Sequence, residues 1–267
     1  MSAATAEGDR PSWLVRERAL VPVVWNEIDA VVFDIGGVFL IRHPEPIQNG
    51  MARGGFEMPP EAGSNYHDAH YRGVRSLTDE VLKGPLALEN NREFWIHFEY
   101  AYLSHLGVRS EQLDAAVQVM FAEVFAKEQK PIWRKKLDHN IDAFQRLGAS
   151  GMPVAIVTNN DGTAAAQMID FGVCQVGPGP FTNVAAIVDS GIVGIQKPEP
   201  AIFYPALEAL GTDASRTLYV GDTFNADVVG ASRAGMPVVQ LDPLRLHADL
   251  AHHCEPDVAA IVARLMG

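Results

Sequence analysis

An apolar run that ends on a carboxylate limits what this chain can fold into. Ala30-Val31-Val32-Phe33 runs into Asp34 and then turns through Ile35-Gly36-Gly37-Val38. A continuous apolar strand is buried on both faces, as central strands of parallel sheets are. Its C-terminal tip then carries the carboxylate, and open α/β sheets bind ligands outside those tips. Three more polar groups follow apolar runs in the same way. Ala155-Ile156-Val157 stops on Thr158, Gly194-Ile195-Gln196 leads to Lys197 and Pro198, and Leu218-Tyr219-Val220-Gly221 stops on Asp222, with Asp227 five positions on. A carboxylate, a hydroxyl, an ammonium and an acidic pair at converging strand tips are the equipment for phosphoryl transfer.

The rest of the chain supplies a sheet to hold those tips. After residue 141 the patterning alternates: helix 141–147, strand 154–157, helix 162–171, strand 184–188, helix 200–210, strand 217–220, helix 226–234, strand 238–241. Alternation of this kind predicts an α/β fold, a doubly wound parallel sheet with helices on both faces. The stretch between the first two core strands lacks β-branched runs and reads as helical. Phe94, Trp95, Phe98, Tyr102 and Leu106 recur at helical spacing, as do Leu113, Val117, Met120, Phe121, Val124 and Phe125, with Ser110 as an N-cap for the second helix. Loops break this region at 54–63 and 83–85. The domains expected are an N-terminal tail and extension over 1–27, a core over 28–40 and 141–267, and an inserted helical domain over 41–140.

Composition narrows the function. With 267 residues, 48% of them hydrophobic, the chain can bury one large core and a smaller satellite. A net charge of −12 and the lack of a basic run argue against nucleic acid and anionic membrane as partners. No apolar stretch reaches the roughly 18 residues of a membrane span. The start of the chain lacks the basic and apolar segments of a secretory signal, and Cys174 and Cys254 have no metal-site spacing. The expectation is a reduced, cytoplasmic protein, monomer or homodimer, acting on a small molecule.

Each polar tip has a plain alternative as a cap, a turn residue or a solvated lysine. The chemical reading comes from their order. Asp34 can attack phosphorus and form an aspartyl-phosphate. Gly36 and Gly37 allow the backbone to turn sharply toward an anion. Asp34 and Asp222, with the Gly36 carbonyl, have the oxygen chemistry of a Mg²⁺ site, and Asp227 is either a further ligand or a support behind one. The Thr158 hydroxyl and the groups of Asn159 can hold a phosphoryl oxygen. Lys197, in a segment stiffened by Pro198 and Pro200, can neutralise crowded negative charge.

In this order the motifs resemble the haloacid dehalogenase-like (HAD) superfamily. Asp34 is similar to its first-motif nucleophile, Thr158 to the second-motif hydroxyl, Lys197 to the third-motif lysine, and Gly221-Asp222-Thr223-Phe224-Asn225-Ala226-Asp227 to the fourth motif. The resemblance implies a Rossmannoid core, a mobile helical C1 cap between the first and second motifs, and a Mg²⁺-dependent phosphohydrolase. One departure matters. Most phosphatases of the family carry a second Asp two positions after the nucleophile, as general acid and base, where this chain has Gly36. Such a group contributes about 10²–10⁴-fold. The departure leaves three outcomes: a substrate with a good leaving group, such as a sugar 1-phosphate or acyl phosphate; a substitute acid such as His43; or lost turnover in a metabolite-binding or regulatory protein. Haloacid dehalogenases also lack the second Asp but need no metal, so the acidic pair Asp222 and Asp227 favours phosphorus over carbon. A phosphomutase is disfavoured by the missing acid. In the cap, Tyr66, His67, His70, Tyr71, Arg72 and Arg75 form a polar-aromatic cluster, with Arg72 or Arg75 as the grip for a distal anion. The stripe from Phe94 to Tyr102 reads mainly as cap core.

Overall fold

A computed structural model describes residues 20–60, 62–84, 92–126 and 132–267. Most of the expected N-terminal tail, and Pro85 of the expected second loop, lie outside those residues. In chain order, β1 (Ala30–Phe33) turns into β2 (Leu40–Arg42). Then come α1 (Pro44–Arg53), α2 (Ala62–Lys83), α3 (Arg92–His105) and α4 (Leu113–Val119), which continues as a wide π-helical turn, Met120–Phe125, before the return strand β3 (Trp133–Lys136). Next are α5 (Asp138–Ala149), β4 (Val154–Thr158), α6 (Ala164–Asp170), β5 (Cys174–Val176), β6 (Thr182–Val184) and β7 (Ile187–Asp189). The chain closes with α7 (Ser190–Val193), α8 (Tyr204–Leu210), β8 (Thr217–Gly221), α9 (Gly230–Arg233), β9 (Val238–Leu241), β10 (His253–Glu255) and α10 (Val258–Met266).

The main sheet has the order β10-β9-β8-β1-β4-β7, and every neighbouring pair is parallel. This is the expected α/β architecture. Successive side chains of a strand face opposite sides of the sheet. Val32, Ala155, Val157 and Tyr219 join one core with Ile202, Phe203 and the inserted helices. Val31, Phe33, Ile156 and Val220 join the other, with Phe144 of α5 and Ile261 of α10. Both faces are covered, which is why β1, β4 and β8 are buried along their whole length.

The insertion hangs from the antiparallel ribbon β2–β3, in which Arg42 stands opposite Trp133. Its two longest helices, α2 and α3, pack through Tyr66, Ala69 and Leu77 against Phe94, Phe98 and Tyr102. Trp25, in the extension before β1, meets His253 of β10 edge-on with centroids 5.3 Å apart.

Several expected elements differ in detail. The strand expected over 184–188 is two strands. Val184 ends the small β5–β6 sheet, and only from Ala185, whose N–H bonds Val154 O, does the chain join β4. Lys197 is not at a strand tip: β7 ends at Asp189, and α7 and Gly194 intervene. The helix over 200–210 opens as a 3₁₀ turn, Pro200–Phe203, because Pro205 has no N–H and suits the first turn of α8. The helix over 226–234 opens as a π-helical turn, Phe224–Val229. Ser110 starts a separate 3₁₀ turn, so Gln112 precedes α4 instead. No described helix is long and apolar enough to cross a membrane.

Candidate active site

Sheet register brings the tips together. Asp34 leaves β1 with its N–H on Val220 O at 2.8 Å, which ties it to the end of β8 just ahead of Asp222. Thr158 ends β4 on the other side of β1, buried and paired in register with Asp189. Lys197 arrives from a loop that Asn159 holds in place: Asn159 Oδ1 accepts from Lys197 N at 2.8 Å and Nδ2 donates to Lys197 O at 3.1 Å. The Asn159 amide, expected to meet substrate, is therefore engaged in positioning Lys197. The buried ammonium lies 2.7 Å from Asp227 Oδ1, 2.9 Å from the Tyr219 hydroxyl and 3.0 Å from Asp34 Oδ1, the last an ion pair off the angle of a hydrogen bond.

Asp227 is the most constrained carboxylate. Its Oδ1 meets Lys197 and the Tyr219 hydroxyl (3.0 Å); its Oδ2 accepts from Asp222 N (3.1 Å), Thr223 N (2.8 Å) and Thr223 Oγ1 (2.7 Å). The π-helical turn that carries it lets one side chain reach both the preceding loop and the lysine. A Cβ on Gly221 would overlap the Asp227 carboxylate, so only glycine fits there. Likewise Gly37, at φ +64°, lies against Asp222, whose Oδ2 occupies the space of a side chain. The Gly37 N–H bonds Leu40 O at 2.9 Å, which removes it as the anion donor expected from the sequence.

The inserted helix α2 reaches this centre. His70 Nε2 is 2.7 Å from Asp222 Oδ2, and the Tyr71 hydroxyl donates to Gly37 O at 2.8 Å. The sequence cluster contained both residues without assigning them these contacts. Two expected anion grips fall elsewhere. Arg75 binds Asp79 (2.8 Å), both oxygens of Asp249 (2.6 and 3.0 Å) and Leu246 O, so its guanidinium fastens α2 to the loop after β9. Arg72 is exposed, because the face of α2 turned to the core carries His70, Tyr71, Val74 and Thr78. His43 is the N-cap of α1, its Nδ1 accepting from Glu45 N at 3.2 Å.

Comparison with known proteins places this geometry. The family model described as haloacid dehalogenase-like hydrolase matches residues 28–235. The chain belongs to the haloacid dehalogenase-like hydrolase family. Among curated HAD relatives, a glyceraldehyde 3-phosphate phosphatase of Methanopyrus kandleri is 42% identical over 55 residues, 21% of this chain and 24% of that protein. A phosphoglycolate phosphatase of Yersinia pseudotuberculosis is 32% identical over 96 residues, 36% of this chain and 38% of that protein. The chain thus spans about a quarter to two fifths of the length of these two. A ribulose-1,5-bisphosphate 5-phosphatase of Halopiger xanaduensis is 24% identical over 215 residues, 80% of this chain and 84% of that protein. Among solved HAD folds, the hydrolase YfnB of Bacillus subtilis, bound to magnesium, aligns with TM-score 0.53 at 17% identity, covering 90% of this chain and 99% of that one. A structure described as a phosphoglycolate phosphatase of Haemophilus somnus aligns with TM-score 0.54 at 16% identity, covering 89% and 97%.

The electrostatics of this HAD hydrolase are those of a site lacking positive charge. Burial raises Asp34 from the ordinary 3.8 to about 7; Lys197 opposes the rise, and the Asp227 and Asp222 charges add to it. Asp222 is pushed well above the carboxylate range by burial and by Asp227. Burial works against ionised Asp227 too, but the Lys197 charge and the bonds from Lys197 and Thr223 hold it below its usual value. Burial alone would lower Lys197; Asp227 and Asp34 raise it. Burial drives His70 down to about 3, so its ring is neutral.

These residues fit a divalent cation. Oxygens of Asp34, Asp222 and Asp227 lie within 4.8 Å of one another, and Asp34 Oδ1 is buried without a hydrogen-bond donor. Three carboxylates face one ammonium, a deficit that a hard cation offsets.

Proposed function

We propose that the protein is a Mg²⁺-dependent phosphohydrolase that acts on a small phosphorylated metabolite through an aspartyl-phosphate on Asp34. The observation that carries this reading is the buried contact of Lys197 Nζ with Asp34 Oδ1 at 3.0 Å, beside the under-neutralised Asp222. A buried carboxylate oxygen held beside an ammonium, and ionised once the cation offsets its burial, is a nucleophile aimed from a fixed position. Asp34 attacks phosphorus, and Lys197 balances the negative charge of the transferring group. Thr158, at the adjacent tip, donates its hydroxyl to a phosphoryl oxygen. Asn159 keeps Lys197 at the right height above the sheet.

Asp34, Asp222 and the Gly36 carbonyl would hold the ion, and Asp227, with both oxygens engaged, orients Lys197 and the Asp222 backbone. When bound, Mg²⁺ supplies Lewis-acid polarisation of a phosphoryl oxygen and screens the carboxylates. Residues 28–40 and 141–267 act as the core and 41–140 as a cap. The contacts of His70 with Asp222 and Tyr71 with Gly37 support a cap that closes over the tips and excludes bulk water. The names of the Methanopyrus, Yersinia and Halopiger relatives support a small phosphorylated substrate. A net charge of −12 favours a cytoplasmic enzyme of small-molecule metabolism over a nucleic-acid or membrane partner.

The test is phosphate release from a panel of phosphorylated metabolites, with Mg²⁺ and with chelator, for the native chain and Asp34→Asn. Release that needs the metal and disappears in Asp34→Asn is expected. Release that survives the substitution would rule out the covalent route. No release from any substrate, with Mg²⁺ still bound, would point to a binding or regulatory protein.

A further inference from the structure

We propose that Gln240 of β9 is a positioning residue for Asp222: its buried amide, itself oriented by His252, grips the Asp222 carbonyl and so fixes the carboxylate for the cation. This rests on the reading of Asp222 as a metal ligand.

The amide is the polar exception in its strand. β9 reads Val238-Val239-Gln240-Leu241 and is buried along its whole length, with Gln240 fully enclosed. Burying an amide is unfavourable unless its groups are hydrogen-bonded, and the sheet ladder asks nothing of the side chain. The parallel register sets Gln240 beside Gly221, one residue before Asp222. From there Gln240 Nε2 donates to Asp222 O at 2.6 Å. The same nitrogen lies 3.4 Å from His247 Nε2, and Oε1 is 2.5 Å from His252 Nε2.

These partners allow one orientation. Turned over, the amide would set its oxygen against the Asp222 carbonyl, so Nε2 faces Asp222 and Oε1 faces His252. Oε1 only accepts, which places a proton on His252 Nε2. Burial drives His252 down to about 4, so the ring is neutral and carries that single proton. The ring also packs on Phe224, centroids 5.3 Å apart, and Phe224 opens the π-helical turn that carries Asp227.

Asp222 is thereby held at both of its peptide groups. Asp227 Oδ2 accepts from its N–H at 3.1 Å, and Gln240 donates to its carbonyl. The contact on the carboxylate itself, His70 on Oδ2, is one for which a cation competes. The two backbone grips leave the carboxylate oxygens free, so they persist in the loaded site. A carboxylate whose backbone is already fixed loses little freedom on taking a cation, and that preorganisation shows as affinity. Asp227 lies five residues from Asp222, whereas Gln240 and His252 come from β9 and the segment just before β10.

The experiment is calorimetry of Mg²⁺ binding to the native chain, Gln240→Met, His252→Phe and the double variant, with urea denaturation of each. Gln240→Met keeps the length of the side chain but donates nothing. It should weaken Mg²⁺ binding about tenfold, as loss of one buried hydrogen bond does. His252→Phe keeps a ring against Phe224 and removes the donor to Oε1, and should weaken binding about threefold. In the Gln240→Met background it should weaken binding no further, because a residue that acts through another is not additive with it. A lower urea midpoint with native Mg²⁺ affinity in Gln240→Met, or in His252→Phe if Gln240→Met does not fold, would overturn the inference in favour of a purely structural role. Equal losses from His252→Phe with and without Gln240 would overturn it too, since His252 would then act on its own. A native chain that binds no Mg²⁺ would remove the metal reading and this inference with it. Mg²⁺ affinity that depends on Gln240, without phosphate release from any substrate, would support the inference and count against the phosphatase reading alone.

Discussion

His70 Nε2 and Asp222 Oδ2, 152 residues apart in sequence, share a buried 2.7 Å hydrogen bond that joins the inserted helix α2 to the carboxylate after β8. A cation drawing on that oxygen competes with the imidazole. Removing the ring in His70→Ala should tighten apparent Mg²⁺ binding by up to about tenfold, the worth of one buried hydrogen bond. Isothermal calorimetry at neutral pH reads this directly, and weaker binding would show that the imidazole helps to hold the ion.

Asn159 touches Lys197 only through the lysine backbone. Asn159→Ala should cost about 1–2 kcal/mol of stability, as two half-buried hydrogen bonds are lost. It should also lower kcat more than it raises KM, because the ammonium loses its fixed height. Chemical denaturation and steady-state kinetics check the two parts separately; an unchanged kcat would leave Asn159 with a purely structural role.

Arg42 and Glu99 form a pair with almost no solvent exposure, one hydrogen bond from Nη1 to Oε2 at 2.9 Å and an ion contact of Nη2 with Oε1 at 2.8 Å, inside a cage that includes Phe98 at 4.3 Å from the guanidinium. Glu99→Ala leaves a buried cation without its partner and should cost about 3–5 kcal/mol. Replacing both residues, Arg42→Met with Glu99→Leu, should cost far less. Urea midpoints of the three proteins test this; equal losses for the single and double variants would contradict it.

The metal-free protein should lose stability as pH rises from about 4 to 7. Folded Asp34 keeps its proton up to about 7, while the unfolded carboxyl releases it near 3.8, so the folded state holds more protons across this window. Asp222 shifts in the same direction. Mg²⁺ binds the ionised carboxylates, so its stabilising effect should grow over the same range. Melting temperatures with chelator and with Mg²⁺, at pH 5 and pH 7.5, give the comparison. A metal effect that is equal at both pH values would mean that Asp34 and Asp222 are ionised in the metal-free fold.

Much of the site was legible because burial on both faces writes a strand as an unbroken apolar run. Asp34, Thr158 and Asp222 follow such runs, and parallel register carries them to one edge. Lys197 was found by its chemistry but placed wrongly at a strand tip, since Gly194-Ile195-Gln196 imitates a strand while α7 separates it from β7. Arg75 looked like an anion grip because its nearest acidic partner in space, Asp249, is 174 residues away in the chain.

The sequence by itself determined the alternating architecture, the carboxylates at the strand tips and the empty side-chain position at Gly36. Those features follow from local patterning and residue identity. Only the tertiary structure decided that Asn159 holds Lys197, that His70 and Tyr71 reach the tips, and that Trp133 lies against Gly36. Each of these is a contact between distant segments, set by how the β2–β3 ribbon and α2 pack on the core. Pairing of that kind leaves no periodic signal in a single chain.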